Sequence, residues 1–594
     1  MVGTLTWVLV GVVAFTVAAM AVDARGLLPE SVRVAGPILT LHTGRGRAFL
    51  DRLASPRRFW RAWGNLGVGA ALVAMVGSAL AVFTSALQAI RQPERTPVQN
   101  PQNALVIPGV NDFLPPAAAP EIVFGLLVGL VVHEGGHGLL CRVEDIDIDS
   151  MGLALFSFIP IGAFVEPDED SRNAASRGSQ TRMFAAGVTN NFFVTFLAFL
   201  LLFGPVSGSI AVAAGVPVGG VLEGSTAASG GLDYGDVVTS VEGQPVANES
   251  AFEDALARAD SRQVRIGLKD GRTTTVNRTL LITRWIPEVL ESVNVSRGNS
   301  TAVERVNGTA VYDERGFERA MANRTVARVE TSRGNATFPV GAYVTRVQEG
   351  EPFARAGAPT NGSRVIVTRV DGRRTPNVTA LTAVLGDAEP GETVPVVAYV
   401  DGDRETYRVT LDEDENGDGG YLGVRIQRGY SGLVVDGVGI DPYPAGQFLA
   451  FLGGESGPLG GLFSGDFLRL VFVALILPFA SVIDPTISYN FAGFLPQVVD
   501  FYTVIGPLAV FGNGVFPAAN LLFWTGWVNL NLGLFNCIPM VPLDGGHILR
   551  SSAESFVSRL PVSNARPLTS ALTTTVSLVM LAGLGLMLFG PRLF

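Results

Sequence analysis

Residues 131–140 read VVHEGGHGLL, two histidines and a glutamate inside a run otherwise apolar enough to lie in lipid. One ionised residue at a bilayer centre costs about 2.5–3.5 kcal/mol on insertion scales, so His133, Glu134 and His137 need a compensating partner. On a helix, positions i and i+4 stack one turn apart on the same face. Both imidazoles therefore aim at one point, with Glu134 beside them. This is the H-E-x-x-H spacing of metalloproteases, which makes a metal the expected partner.

The rest of the chain has the composition of a membrane protein. It is 48% apolar and only 16% charged, with a mean hydropathy of +0.35, too hydrophobic for an ordinary soluble protein. Apolar runs of membrane length fall near 3–22, 64–88, 121–140, 183–204, 467–484, 518–538 and 568–590. A weaker one lies near 497–513, so the expected fold is an α-helical polytopic membrane protein of about eight spans. The first run lacks the basic n-region and A-x-A site of a signal peptide and is read as a span. No basic stripe suggests nucleic acid, and Cys141 and Cys537 cannot make a disulfide framework. A net charge of −10 and Lys269 as the single lysine among 43 basic residues suit a salt-adapted, haloarchaeal proteome.

Charge also orients the chain. Eight arginines between residues 23 and 63 place that loop in the cytoplasm by the positive-inside rule. His133 and His137 then fall in the cytoplasmic half of the bilayer, and the polar region from about 209 to 440 falls outside. Nine N-x-[S/T] sequons, Asn248 to Asn377, cluster in that region, where a translocated domain could use them.

Within it, GVPVGGVLEGSTAASGGLDYGDVVTSVEGQPV from Gly215 is echoed by GAYVTRVQEGEPFARAGAPTNGSRVIVTRVDG from Gly341. Both resemble PDZ domains of the bacterial protease type, α+β modules that capture extended peptides at a sheet edge. The stretch between them matches only the second half of this unit, as a degenerate or partial repeat. The acidic run DEDENGDGG from Asp412 has Gly423 where a calcium loop needs its bidentate glutamate, so it reads as a solvated linker.

Two histidines leave a zinc site short of a ligand. A histidine ten residues after His133 would complete a metzincin motif, but Val143 stands there. The better source is downstream, in NCIPMVPLDGGHIL (536–549), where Asp544 ends another apolar span. At this point the chain resembles the site-2 protease family of intramembrane zinc metalloproteases. That family pairs H-E-x-x-H with N-x-x-P-x-x-x-x-D-G, and Asn536, Pro539, Asp544 and Gly545 occupy each fixed position of the second motif. IPIGAFVEPDED (159–170) resembles its membrane-embedded hairpin, and AAGVTNN (185–191) is similar to its A-G-P-x-x-N motif, with Val188 in place of proline. The resemblance covers about 121–204 and 515–565.

The resemblance implies a zinc ion held by His133, His137 and Asp544, with Glu134 as general base. Asn536, Pro539, Gly545 and Asn191 would position substrate. His547, three residues after Asp544, is expected beside the ligands rather than among them. The implied activity is cleavage of peptide bonds in transmembrane segments, with membrane proteins such as anchored transcriptional regulators as substrates and an upstream site-1-type protease making a first cut. A PDZ-bearing membrane scaffold or chaperone without catalysis is the alternative reading, against which Glu134 argues. A zinc transporter would need several intramembrane ligand clusters along a path. The expected map is two accessory spans (1–120), the first half of the catalytic core (121–208), a PDZ-like domain (209–284), a partial repeat (285–340), a second PDZ-like domain (341–412), an acidic linker with a membrane-surface segment (413–466), and the remaining spans (467–594).

Overall fold

The computed structural model describes residues 4–593 except 30, 92–106, 112–113, 158, 260, 285–300, 322, 415–418, 428, 454–466, 484–488 and 562–564. It divides into two compact units, Met1–Ala211 with Gly446–Phe594, and Val212–Ala445.

In the first unit, five helices among the described residues are long and apolar enough to cross a membrane: Arg57–Arg91, Pro116–Val143, Arg177–Ser209, Gly506–Asn536 and Arg566–Phe589. That is fewer than the eight expected. The apolar helix α1 (Thr4–Ala24) falls outside the five. The run at 467–484 breaks into a ten-residue helix, Phe467–Ile476, a 3-10 turn, Leu477–Phe479, and a short helix, Ala480–Ile483. Pro478 sits at the break, lacking the N–H an α-helix needs there. Residues 497–513 form a 3-10 turn, a three-residue strand and a further 3-10 segment, with Gly506, Pro507 and Gly512 interrupting any long helix.

The elements that matter for the site are β1 (Val32–Ala35), β2 (Ile38–His42), α2 (Gly44–Leu53), α3 (Arg57–Arg91), α4 (Ala119–Val143), β3 (Ile148–Phe156), β4 (Ile159–Pro167), α5 (Glu169–Ala174), α6 (Arg177–Leu201), α7 (Val515–Asn536), α8 (Asp544–Val557) and α9 (Ala565–Leu593). Glycines let α4 approach its neighbours closely, the small-residue device of membrane helix packing. A Cβ at Gly125 would stand 2.8 Å from the Trp524 carbonyl oxygen on α7, one at Gly129 would stand 2.6 Å from the Leu532 side chain, and one at Gly136 would stand 2.8 Å from the Ala186 carbonyl oxygen on α6. The expected hairpin is present as β3–β4, but it belongs to a four-stranded sheet in the order β1-β2-β3-β4. Residues ahead of the HEGGH helix thus extend it.

The second unit holds three sheets of one design. The first runs Thr273–Asn277, Gln263–Leu268, Val237–Val241, Val216–Val221, Ile440–Pro442; the second runs Gly334–Pro339, Val326–Thr331, Thr301–Val306, Leu281–Arg284, Val434–Asp436; the third runs Asp403–Thr410, Thr393–Val400, Val365–Val370, Ala342–Val347, Val424–Gln427. Each encloses its own apolar core. Helices Glu249–Arg258 and Val378–Gly386 start alike, Asn248 and Asn377 accepting the backbone N–H of Ala251 and Ala380; in the middle repeat Asp313 accepts that of Gly316.

Two expectations change here. The middle repeat is a complete sheet, because its first strand, at 281–284, and its last, at 434–436, both lie outside the 285–340 window. And the supposed linker supplies the closing strand of every sheet: 424–427 closes the third, 434–436 the second and 440–442 the first.

Candidate metal centre

The periodicity of α4 brings the two HEGGH imidazoles together, Nε2 to Nε2 at 3.2 Å. Asp544 begins α8, and its Oδ2 lies 3.1 Å from His133 Nε2 and 3.3 Å from His137 Nε2. Both histidines are buried, and the three ligand atoms form the one His/Cys/Asp/Glu cluster of metal-holding geometry among the described residues. For metal–ligand bonds of about 2.0–2.1 Å, the edge of a tetrahedron is roughly 3.3 Å. The three separations match that edge. Asp544 Oδ2 is also buried without a hydrogen-bond donor, a costly state unless a cation shares it. The residues present fit a zinc ion.

The surroundings orient the donors. His137 Nδ1 donates to the Met183 carbonyl oxygen at 2.8 Å, which leaves Nε2 as a lone-pair donor toward the cluster. His133 Nδ1 lies 3.3 Å from the amide of Asn191, a fully buried side chain. Asn191 therefore meets a ligand ring, and its expected place on the substrate is replaced by one behind His133. A Cβ at Gly187 would lie 2.6 Å from His137 Nε2 and 2.8 Å from His133 Cε1, so the cluster needs glycine there.

Glu134 leaves the ligand atoms to its neighbours. Its Oε2 accepts the Val165 N–H of β4 at 3.0 Å, and its side chain lines a cavity of about 680 Å³. Asn536 donates from Nδ2 to the Leu532 carbonyl oxygen within α7 at 3.1 Å. Pro539 is buried in the turn that follows, and a Cβ at Gly545 would stand 2.4 Å from the Cys537 carbonyl oxygen; these two shape the turn that delivers Asp544. His547 stacks flat on Phe184, centroids 4.3 Å apart, outside the cluster. Sequence reasoning missed Gly187, the Met183 carbonyl and Trp63, whose Nε1 donates to Asn190 Oδ1 at 3.0 Å. Only the position of Gly187 in AAGVTNN carried any signal.

Residues 121–582 match the sequence profile of peptidase family M50. A Clostridium perfringens protein, provisionally named a zinc metalloprotease, is 25% identical over 274 residues, 40% of this chain and 77% of its own length.

Proposed function

The chain belongs to peptidase family M50, and from that premise we propose that it is an intramembrane zinc metalloendopeptidase, cutting peptide bonds in the transmembrane segments of other membrane proteins. The observation that carries this reading is the convergence of His133, His137 and Asp544 on one point among helices of membrane length, with Glu134 facing a cavity. His133, His137 and Asp544 would hold the zinc ion, which would supply a Lewis acid for the scissile carbonyl and for acidifying water. Glu134 takes the proton of the attacking water and delivers it to the leaving amine. The Met183 carbonyl holds the His137 imidazole in the ligating tautomer, and Asn191 packs against the far nitrogen of His133.

A transmembrane helix hides its peptide bonds in i to i−4 hydrogen bonds, so substrate must unwind before it is cut. The outer edge of β4 offers the replacement partner, because the Val165 N–H points to Glu134 and away from β3. The sheets of the second unit act as PDZ-like modules that capture extended segments. The arginine bias supports a site in the cytoplasmic half of a cell membrane. A membrane-anchored protein, already shortened outside by a site-1-type protease, is the substrate this arrangement serves.

The full chain reconstituted with a transmembrane reporter tests the reading. Glu134→Gln should lower cleavage by about 10²–10⁴-fold or more while zinc stays at one per chain. Undiminished cleavage would sink the assignment.

A further inference from the structure

The cavity that Glu134 lines is walled in part by residues outside the family match, ten of its twenty-four. Leu41 on β2, Phe49 and Leu53 on α2, and Trp60 and Trp63 at the start of α3 all precede residue 121, where that match begins. The sheet register shows how they reach the site. Leu41 pairs with Leu153, Leu153 with Ala163, and Met151 with Val165, so these residues share one sheet face, and all line the cavity. The β2–β3 approach depends on Gly152, where a Cβ would meet the Leu41 carbonyl oxygen at 2.0 Å. Trp63 further ties this wall to the core through Asn190, which donates to the Val132 carbonyl oxygen at 3.3 Å, next to His133.

We propose that residues 38–63 build a specificity pocket beside Glu134 that selects substrates with a bulky apolar side chain, leucine or aromatic, next to the scissile bond. The inference rests on the proteolytic reading above. A substrate strand laid along β4 alternates its side chains between the two sheet faces. Those in register with Ala163 and Val165 on the shared face enter the cavity. At about 680 Å³ the space exceeds any single side chain and falls in the range of ligand pockets. Its lining is apolar almost throughout, and Glu134 at its margin makes it continuous with the place where water is activated. The occupant is therefore a residue of the substrate itself, immediately beside the bond being cut.

The test uses the full chain in liposomes with reporters carrying Ala, Leu or Phe next to the cleaved bond, the cut mapped by mass spectrometry. The intact protein should prefer Phe and Leu over Ala by about tenfold or more in kcat/KM, the discrimination a hydrophobic pocket provides. Leu53→Trp, which fills the cavity, should bring that ratio near one, with zinc content kept. A turnover-independent arm places Leu53→Cys in the Glu134→Gln background, the native Cys141 and Cys537 being buried. With an added thiol oxidant to take up the two electrons, a reporter cysteine beside the scissile bond should form a disulfide with it, and one several residues away should not. Cleavage with an unchanged Phe-to-Ala ratio in Leu53→Trp and no position-specific cross-link would overturn the pocket and leave the protease standing, the cavity then holding lipid. Failure of the intact protein to cut any reporter would overturn both.

Discussion

Asp544 and His547 lie three residues apart on α8, and their surroundings give them different work. Asp544 Oδ2 faces two imidazoles, whereas His547 lies flat on Phe184. Asp544→Ala should therefore empty the zinc site and end cleavage, while His547→Ala should retain most of both; zinc analysis of the purified variants decides, and the reverse order would mean a wrong ligand set. Asn191 acts one step further out. Its amide nitrogen faces His133 Nδ1 at 3.3 Å while its Oδ1 is buried without a partner; with the two amide positions exchanged, Oδ1 accepts from Nδ1–H and fixes the ring for ligation, and loss of such a partner lowers metal affinity about 10–100-fold. Asn191→Ala should show that drop in a chelator competition without unfolding. Gly187→Ala should also displace zinc, since the new methyl would sit 2.6 Å from His137 Nε2.

The end of α4 is anchored by Glu144, whose carboxylate accepts from Arg182 at 2.8 Å, Ser179 at 2.8 Å and Arg61 at 3.3 Å, joining α4 to α6 and α3. Burial opposes its charge, yet these donors hold the carboxyl below its ordinary value. A depressed native pKa contributes stability that is present above the unfolded pKa and lost as pH falls through the native one. Glu144→Gln should accordingly melt below the parent chain at neutral pH, and the gap should close on acidification; a gap independent of pH would refute the charge-based account. Higher up the same helix, Gly136→Ala pushes a methyl against the Ala186 backbone, an overpacking that costs about 1–3 kcal/mol. Thermal unfolding in detergent measures it.

At the scale of the molecule, the second unit is an insertion whose incoming and outgoing strands pair: Ile440 faces Val221 and Pro442 faces Val218, and the Tyr443 N–H donates to the Pro217 carbonyl oxygen at 2.9 Å. Its two ends are therefore neighbours. Excising residues 212–445 behind a short linker should leave a membrane core with zinc bound. Removing only 212–411 should expose the 424–442 strands with no sheets to close, unpaired edges that invite aggregation. Size-exclusion profiles and zinc content of the two truncations separate these outcomes.

What could be read from sequence was local. The i, i+4 spacing of His133 and His137, the adjacent Glu134, the apolar runs and the doubled β-rich motif all depend on neighbours within a few turns or strands, and each is visible as periodicity. The resemblance to a known motif pointed to Asp544 from a distance, but its meeting with the histidines belongs to the packing of α8 against α6, which in turn packs on α4. The same holds for Asn191 behind His133, for strands 424–442 closing three separate sheets, and for β1–β2 joining the β3–β4 hairpin. A strand's alternation tells which residues share a face; it carries no record of which other edge, hundreds of residues away, will complete its hydrogen bonds. That choice is made only when the chain is folded and every buried N–H and C=O must find a partner.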